Sequence, residues 1–445
     1  MMRIYTYITL LMMTGCVIRC KEPILPHYTD QEVVHQWADM TLYITKNTPA
    51  NSPTFASRAL GYIGLTMYES IVHGYPEYRS LVGQLKDLDT LPLPTIGLEY
   101  HWAIVLNAGQ AEILRLIYNQ TSDSNKLRID SLEHTIYTSI VGSAKKNTIE
   151  HSIRFGRTIA DHIFIWSGSD GGHRAYLRNF NKKMTYPNHP GSWKPPLYGQ
   201  SFSHYPLHPQ WGKNRTFVPD NALIPAPAVI SFDTSKTSPY YQQFLKVYEK
   251  EKVLTQEEKE IAIWWGDDPD VTFTPPGHSY YLTATALKAK KIAMIDCALI
   301  YAQVGMAVGD AFINCWKWKY QFFSERPNTF IPTYMDQNWE SFWPDPPFPA
   351  FPSGHAIQGA ASTSILIHHV GDSFSFIDSA HFGRKRDGLR NVDFKPQSYS
   401  SFTQVAKEIA DSRFYGGIHT PQDNDAGLRA GAVIGKNVLA LKWKK

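Results

Sequence analysis

Helical spacing of apolar residues over most of the chain is the feature that most limits its fold. Apolar side chains recur every three or four residues through most of 31–167 and 240–445. The stretch His278–Phe323 is long enough to form two helices or one bent helix. The chain has no run in which apolar and polar residues alternate, as in a half-buried strand. The pattern predicts an all-α fold of two packed four-helix-type bundles with long irregular loops.

An irregular segment separates the two helical stretches. Residues 168–239 are rich in Pro, Gly, His, Tyr and Trp and have no stable periodicity. A loop region this long in a compact protein is usually functional or packs over something. We therefore predict an N-terminal helical part at 31–167, a loop-rich connection at 168–239 and a C-terminal helical part at 240–445. The connection is expected to cover the functional site.

Composition excludes several classes of protein. The chain has 445 residues, 43% of them hydrophobic, which is enough for a large core. Its net charge of +4 is small, and no basic stripe with interleaved aromatic residues occurs, so nucleic acid is not an expected partner. The four cysteines are too few for a disulfide framework. Cys297 and Cys315 lie in apolar helical sequence and are expected to be buried, small hydrophobic residues.

The N-terminus has the pattern of a bacterial export signal. Residues 1–15 run from a basic start through an apolar stretch to Met13-Thr14-Gly15-Cys16, which is similar to a lipoprotein cleavage site. We predict a signal peptide at 1–15, an acylated Cys16 and a tether at 16–30. Met13 stands where leucine is usual, which leaves ordinary secretion open. The protein is thus expected to be periplasmic, attached to the outer membrane, or secreted, with a lipid anchor as its one membrane contact.

Three short segments near the C-terminus carry the chemistry. They are Lys319-x6-Arg326-Pro327, Pro352-Ser353-Gly354-His355 and Ser412-Arg413-x5-His419-x3-Asp423. Together they supply three permanent cations, two imidazoles, a hydroxyl and a glycine amide. Guanidinium forks bind phosphate-like oxygens in pairs, and a total charge of +3 matches phosphate or vanadate. The segments predict a site in the C-terminal bundle that surrounds a tetrahedral oxyanion.

Local sequence gives each segment a structural interpretation as well. Lys319 and Arg326 are seven residues apart, which would place them on one helix face, with Pro327 ending that helix. Their aromatic surroundings favour burial, and buried cations need an anion. Ser353 could cap a helix or donate its hydroxyl to the anion. Asp423 could cap a helix or hydrogen-bond the His419 ring and fix its tautomer.

The three segments resemble the signature shared by type-2 phosphatidic-acid phosphatases and vanadium-dependent haloperoxidases. Two further stretches resemble the haloperoxidase branch. These are Trp264-Trp265-Gly266-Asp267 with Thr274-Pro275-Pro276-Gly277-His278, and Ala56-Ser57-Arg58-Ala59-Leu60 with Met67-Tyr68-Glu69-Ser70. The resemblance implies a vanadate cofactor, with no haem, flavin or nucleotide, and hydrogen peroxide and halide as substrates.

The resemblance also implies roles for individual residues. His419 would ligate vanadium, and His355 would take a proton from hydrogen peroxide. The residues that would hold the vanadate oxygens are Lys319, Arg326, Ser353, Gly354 and Arg413, and Lys319 would also polarise bound peroxide. Trp316 and Phe348 match positions that line the halide pocket. Asp267, with Asp268 as the alternative, would form a salt bridge to Arg413. His278 is expected to be a structural residue at a helix start.

Two other functions remain open on sequence alone. If the anion is a substrate phosphate, His419 would attack phosphorus and His355 would protonate the leaving group, as in an acid phosphatase. The third alternative is a non-catalytic anion-binding lipoprotein. The length of the chain and its lack of several membrane-spanning helices favour a haloperoxidase over a phosphatase. An easily oxidised halide, iodide or bromide, is expected in preference to chloride. The organic acceptor and the oligomeric state are not encoded in any recognisable motif.

Overall fold

The computed structural model describes residues 27–142, 144–196, 203–269 and 271–445. The predicted signal peptide, Cys16 and most of the 16–30 tether lie outside these residues. The described helices are α1 (Asp30–Asn47), α2 (Pro53–Ile71), α3 (Trp102–Ile117), α4 (Asp123–Ile140), α5 (Lys146–Ser167), α6 (Pro219–Ala222), α7 (Pro239–Glu251), α8 (Gln256–Trp264), α9 (Thr274–Lys288), α10 (Met294–Phe322), α11 (Pro327–Tyr334), α12 (Gly354–Val370), α13 (Phe402–Tyr415) and α14 (Pro421–Leu439). The prediction of an all-α protein is confirmed.

Several of these helices begin at a side chain that accepts a first-turn backbone N–H, as expected for Ser and Thr at the N-cap. These capping residues are Thr29, Ser52, Ser122, Ser238, Thr255, Ser353 and Ser401. The long stretch that the sequence left as one or two helices is two, α9 and α10, separated by residues 289–293.

Residues 371–401, which the sequence leaves irregular, contain a small hairpin. Its strands are β1 (Phe376–Asp378) and β2 (Gln397–Tyr399), antiparallel, with Phe376 opposite Tyr399 and Asp378 opposite Gln397. Each strand has three residues, too few for an alternating pattern to be recognised. The hairpin places Asp378 in the interior, where its side chain is fully buried.

Helix α10 is the centre of the molecule and packs on α2. At Gly64 of α2, an added Cβ atom would lie 2.6 Å from the Tyr301 carbonyl oxygen of α10, and Gly305 of α10 meets the Leu60 carbonyl in the same way. Glycine therefore permits close contact between the two backbones. Of the described helices, α10 alone is long and apolar enough to cross a membrane, but 94% of its most apolar window is buried inside the protein. That burial is typical of a core helix.

A second close pair, α12 and α14, brings the later segments together. Gly427, Gly431 and Gly435 follow one face of α14 against α12; at Gly427 an added Cβ would lie 2.8 Å from the Ser353 carbonyl oxygen. Because α12 begins at Gly354 and α14 at Pro421, this contact places the start of both helices side by side.

The two helical parts share one hydrophobic core. A continuous cluster of buried side chains extends from Val33 in α1 to Trp443 after α14. Helix α5 ends at Ser167 and α7 begins at Pro239. The intervening connection is attached to both parts. Asp170 forms a buried ion pair with Arg58 of α2 at 2.5 Å, and the Phe217 N–H donates to Asp310 Oδ1 of α10 at 2.7 Å. The division into separate parts therefore remains a prediction.

Candidate active site

The three C-terminal segments meet at the end of α10. Arg326 Nη1 donates to the Ile418 carbonyl at 2.8 Å, which joins the first segment to the third. The backbone N–H of Ser353 donates to the Asp423 carbonyl at 2.9 Å, which joins the second to the third. Hydrogen bonds thus connect all three segments around one position.

Lys319 and Arg326 do not share a helix, and the predicted common helix face is wrong. Helix α10 ends at Phe322, and Phe323 has a left-handed φ of 52°, which stops the helix. Pro327 does not end a helix either, because it is the first residue of α11. The two cations come together through the loop before α12: Lys319 Nζ and Arg326 Nη2 lie 2.8 and 3.4 Å from the Pro349 carbonyl oxygen.

Three buried cations surround the site without a carboxylate partner. Lys319, Arg326 and Arg413 are 0%, 0% and 2% exposed. The hydrogen bonds that they make go to backbone carbonyl oxygens, and within the described residues none of the three has a carboxylate oxygen within 4.0 Å. Burial lowers the pKa of Lys319 to about 7 and that of Arg413 to about 10, and it also lowers the pKa of Arg326. Buried positive charge of this kind is stabilised by an anion.

The start of α12 adds backbone donors to the cations. Ser353 is its N-cap, and the Ser353 Oγ accepts the Ala356 N–H at 3.4 Å. First-turn N–H groups of a helix lack partners within the helix and lie at its positive dipole end. At Gly354 an added Cβ would be 3.7 Å from the Trp316 ring, an ordinary contact. Packing does not require glycine there, so its small size leaves room for something else beside the N-terminus.

Two histidines face the same space. His419 is buried; its Nδ1 lies 3.1 Å from Asp423 Oδ2, and the same oxygen accepts the Thr420 N–H at 2.9 Å. Asp423 therefore caps α14 and also fixes the His419 ring, so the two roles considered for it from the sequence are compatible. Burial and the nearby cations hold the pKa of His419 and of His355 well below the usual range. Both rings are neutral near pH 7, and His355 Nε2 has no hydrogen-bond partner among the residues that the structure describes.

These groups form the base of a cavity of about 540 Å³. The base is lined by Gly354, His355, Arg413 and His419. Trp316 and Phe348 form an aromatic wall, with ring centroids 4.8 Å apart. The Phe348 ring also covers two of the cations, lying 5.2 Å from Lys319 Nζ and 5.4 Å from the Arg326 guanidinium carbon.

The long connection contributes to the cavity, as the sequence predicts. Asn179, Phe180 and Leu207 from residues 168–239 line its wall. Asn51 lines it from the α1–α2 loop. Both helical parts and the connection between them therefore shape the space above the cations.

The salt bridge expected between Asp267 and Arg413 is absent from the described structure. Asp267 Oδ2 lies 2.8 Å from His278 Nδ1, and its Oδ1 lies 2.9 Å from His381 Nε2, so both oxygens already have imidazole partners. Arg413 instead donates from Nη1 to the Trp265 carbonyl at 3.2 Å. Asp268, the alternative brace, lines the cavity but forms no ion pair with Arg413 within 4.0 Å. His278 is in the first turns of α9, as expected, but has two carboxylate partners that the sequence does not reveal.

Several cavity residues were not identified from the sequence. Phe312 precedes Trp316 by one helical turn of α10, so helical spacing could have identified it. Trp343 and Asp345 come from the proline-rich loop before α12, where no periodicity exists.

Comparisons with known proteins agree with this geometry. The profile of the VCPO second helical-bundle domain matches residues 299–443, which include all three segments. The fold is similar to that of a bacterial vanadium-dependent iodoperoxidase, with 28% sequence identity, a TM-score of 0.77, and coverage of 92% of this chain and 95% of that one. No curated protein sequence matches the chain.

Two further solved structures share the fold. They are the apo and holo forms of bacterial vanadium-dependent chloroperoxidase, each 15% identical, with TM-scores of 0.65 and 0.64. The apo comparison covers 88% of this chain and 93% of that one, and the holo comparison covers 94% and 93%. With this fold, the matched domain and the three segments around one cationic cavity, the chain is identified as an enzyme similar to the vanadium-dependent haloperoxidases.

Proposed function

We propose that this enzyme binds vanadate at the end of α10 and uses hydrogen peroxide to oxidise iodide or bromide to a hypohalous-type species. The observation that carries the proposal is the group of three buried cations without carboxylate partners. An oxyanion would supply the negative charge that these side chains lack. A neutral histidine and an aromatic cavity lie directly beside them.

The residues present fit vanadate. Lys319, Arg326 and Arg413 would hold its oxygens, together with Ser353 and the Gly354 backbone N–H. Arg413 Nε is buried and has no hydrogen-bond partner in the described part of the chain, so it is available to such an oxygen. Donation of the His419 Nδ1–H to Asp423 leaves Nε2 with a free lone pair to act as the ligand. Bound vanadate would act as a Lewis acid toward hydrogen peroxide.

The other side chains have roles that follow from their surroundings. His355 is neutral and has a nitrogen free of hydrogen bonds, so it can accept a proton from hydrogen peroxide. Lys319 is one of the cations that act on His419, and from there it would polarise peroxide oxygen. Trp316 and Phe348 keep one side of the cavity apolar, which favours a large, weakly hydrated halide. The similarity to an iodoperoxidase supports iodide or bromide over chloride.

The proposal is tested with purified apo-protein in phosphate-free buffer. Hydrogen peroxide is supplied with iodide, bromide or chloride in turn, with and without orthovanadate. We expect vanadate-dependent turnover, fastest with iodide or bromide. The same preparation is assayed for hydrolysis of a phosphomonoester. Hydrolysis inhibited by vanadate, without halide oxidation, would contradict the proposal and indicate the phosphatase alternative.

We also propose that the protein is exported as a lipoprotein. The support is the Met13-Thr14-Gly15-Cys16 sequence after a short apolar stretch. Expression in a bacterium with labelled fatty acid should label the wild type and not Cys16→Ser. Equal labelling of both chains would contradict acylation of Cys16.

A further inference from the structure

A buried ionisable cluster adjoins the cavity, whose wall includes Asp267, and has no role in the chemistry described above. The His278 ring stands between two carboxylates: its Nδ1 is 2.8 Å from Asp267 Oδ2, and its Nε2 is 2.8 Å from Asp378 Oδ2. His381 Nε2 is 2.9 Å from the other oxygen of Asp267. All four residues are buried, with 2% exposure or less.

The contacts of His278 determine its protonation state. A carboxylate only accepts, so a ring that bonds one carboxylate at each nitrogen must carry a proton on both. Burial opposes the charge, but the charges of Asp267 and Asp378 outweigh it and raise the pKa of His278 to about 10. The ring is therefore a buried imidazolium at neutral pH. Its charge offsets carboxylate charge that would be costly to bury alone.

The same atoms raise the question of a metal ion. Asp267, His278 and His381 each present a ligand atom, and these atoms lie within 4.8 Å of one another. However, the 2.8 Å contact between His278 Nδ1 and Asp267 Oδ2 leaves no space for an ion between them. Two ligand atoms around tetrahedral zinc would stand roughly 3.3 Å apart, given bonds of about 2.0 Å. The distance favours a direct hydrogen bond between His278 and Asp267.

The cluster is connected to the active site through the two tryptophans before Asp267. The Trp265 indole stacks on the His278 ring, with centroids 4.4 Å apart and an interplanar angle of 27°. Trp264 Nε1 donates to the same Asp378 oxygen that faces His278, at 2.8 Å. The Trp265 carbonyl accepts from Arg413 Nη1. His278 thus contacts the turn formed by residues 264–268 on one side, and Arg413 contacts this turn on the other.

We propose that His278 is a positioning residue whose ring, held between Asp267 and Asp378, fixes the 264–268 turn against Arg413. Without the imidazolium, Asp267 in the turn and Asp378 beside it would be buried carboxylates that lack this cation, and the turn would move away from that position. Arg413 would lose its carbonyl partner and with it the orientation needed to hold the anion. The proposal rests on vanadate binding at the cationic site, but the protonation state of His278 can be tested without it.

The first experiment measures that protonation directly. The intact apo-protein is labelled with ¹⁵N-histidine, and the ring nitrogens are observed by NMR at pH 8. The His278→Gln variant identifies the signals that belong to His278. We expect one buried ring with protons on both nitrogens. A neutral His278 ring at pH 8 would overturn the proposal, whether or not the protein binds vanadate.

The second experiment measures the orthovanadate dissociation constant by calorimetry on apo-protein, independently of turnover. His278→Gln should raise it roughly 10- to 100-fold, the effect of removing groups that orient a ligand. His278→Gln with Asp378→Asn removes one charge of each sign and should recover most of the lost affinity. His369→Gln is the control, because His369 bonds Gln303 near the far end of α12.

Unchanged vanadate affinity in His278→Gln, or no recovery in the double variant, would overturn the positioning role. Melting temperatures are recorded for each chain to exclude unfolding. Metal analysis of the purified protein is the remaining check. One equivalent of a divalent metal in the wild type that is lost in His278→Gln would assign the cluster as a metal site instead.

Discussion

His419 Nδ1 and Asp423 Oδ2 lie 3.1 Å apart, and that same oxygen accepts the backbone N–H of Thr420. One carboxylate thus orients the expected vanadium ligand and caps the helix that follows it. Asp423→Asn replaces the anionic acceptor by a neutral one. We expect vanadate affinity to fall roughly 10- to 100-fold, since the ring loses its orienting partner. Stability should fall by about 1 kcal/mol, because the cap is weakened. Calorimetry and thermal unfolding measure the two effects.

A substitution at the cap of another helix separates the loss of stability from the loss of vanadate affinity. Ser122 Oγ accepts the Asn125 N–H at the start of α4, at 3.3 Å. Ser122→Ala should lose a similar stability and keep full vanadate affinity. If Asp423→Asn bound vanadate as the wild type does, Asp423 would be a cap alone.

The two histidines should respond differently to removal. His419→Ala lacks the ligand nitrogen and should retain no vanadium after gel filtration. His355→Ala keeps the three cations and His419, so it should retain vanadium but lose at least about 100-fold in peroxidase turnover. Vanadium content and halide oxidation are measured on the same samples. Full halide oxidation by His419→Ala would show that the ligand has been assigned wrongly.

Two glycine positions distinguish a binding role from a packing role. At Gly354 an added methyl group meets protein atoms only at 3.7 Å or more, so Gly354→Ala should fold with a normal melting temperature. It should bind vanadate more weakly, because the methyl group occupies space beside the α12 N-terminus. At Gly431 the methyl group would clash with the Ile357 carbonyl, and Gly431→Ala should lose stability. Wild-type vanadate affinity in Gly354→Ala would argue against an anion at that position.

Lys319 should contribute more stability to the vanadate-free enzyme as pH rises above neutrality, whereas the raised pKa of His278 acts in the opposite direction. Burial lowers the pKa of Lys319 to about 7, whereas a lysine in the unfolded chain titrates near about 10.4. Between these values the unfolded state binds more protons, so the free energy of unfolding rises with pH. Lys319→Met should remove this contribution, so the free energy of unfolding of the wild type minus that of the variant should rise between pH 7 and pH 10 in phosphate-free buffer. Denaturant unfolding measures it.

An exposed lysine is the matched control for that substitution. Lys407 lies on α13 with its side chain 72% exposed, and Lys407→Met should leave the pH dependence unchanged. The same pH dependence in Lys319→Met and the wild type would mean that Lys319 titrates normally in the folded protein.

Much of the fold and of the site could be predicted from the sequence because both depend on local patterns. Apolar spacing located the bodies of the longer helices, since one face of each packs into the core. The three segments contain the cations and histidines that line or underlie the cavity. Trp316 and Phe348 both lie at the cavity wall, and their contact with halide stays a prediction.

The predictions that failed depend on contacts between distant segments. The common face of Lys319 and Arg326 assumed a continuous helix, but Phe323 adopts a left-handed conformation that ordinary helix propensity does not predict. The sequence analysis paired Asp267 with Arg413. The carboxylate oxygens of Asp267 instead lie against His278 and against His381, which comes from the irregular stretch 371–401. No periodicity or spacing in the sequence indicates that Asp267 contacts His278 and His381.

The most direct test of vanadate binding at the cationic site is a crystal structure of the protein soaked in orthovanadate, with anomalous diffraction used to locate vanadium. We expect one vanadium position in the cavity base, bonded to His419 Nε2, with oxygens contacting Lys319, Arg326 and Arg413. Vanadium bound elsewhere, or no vanadium at millimolar orthovanadate, would contradict the proposed site.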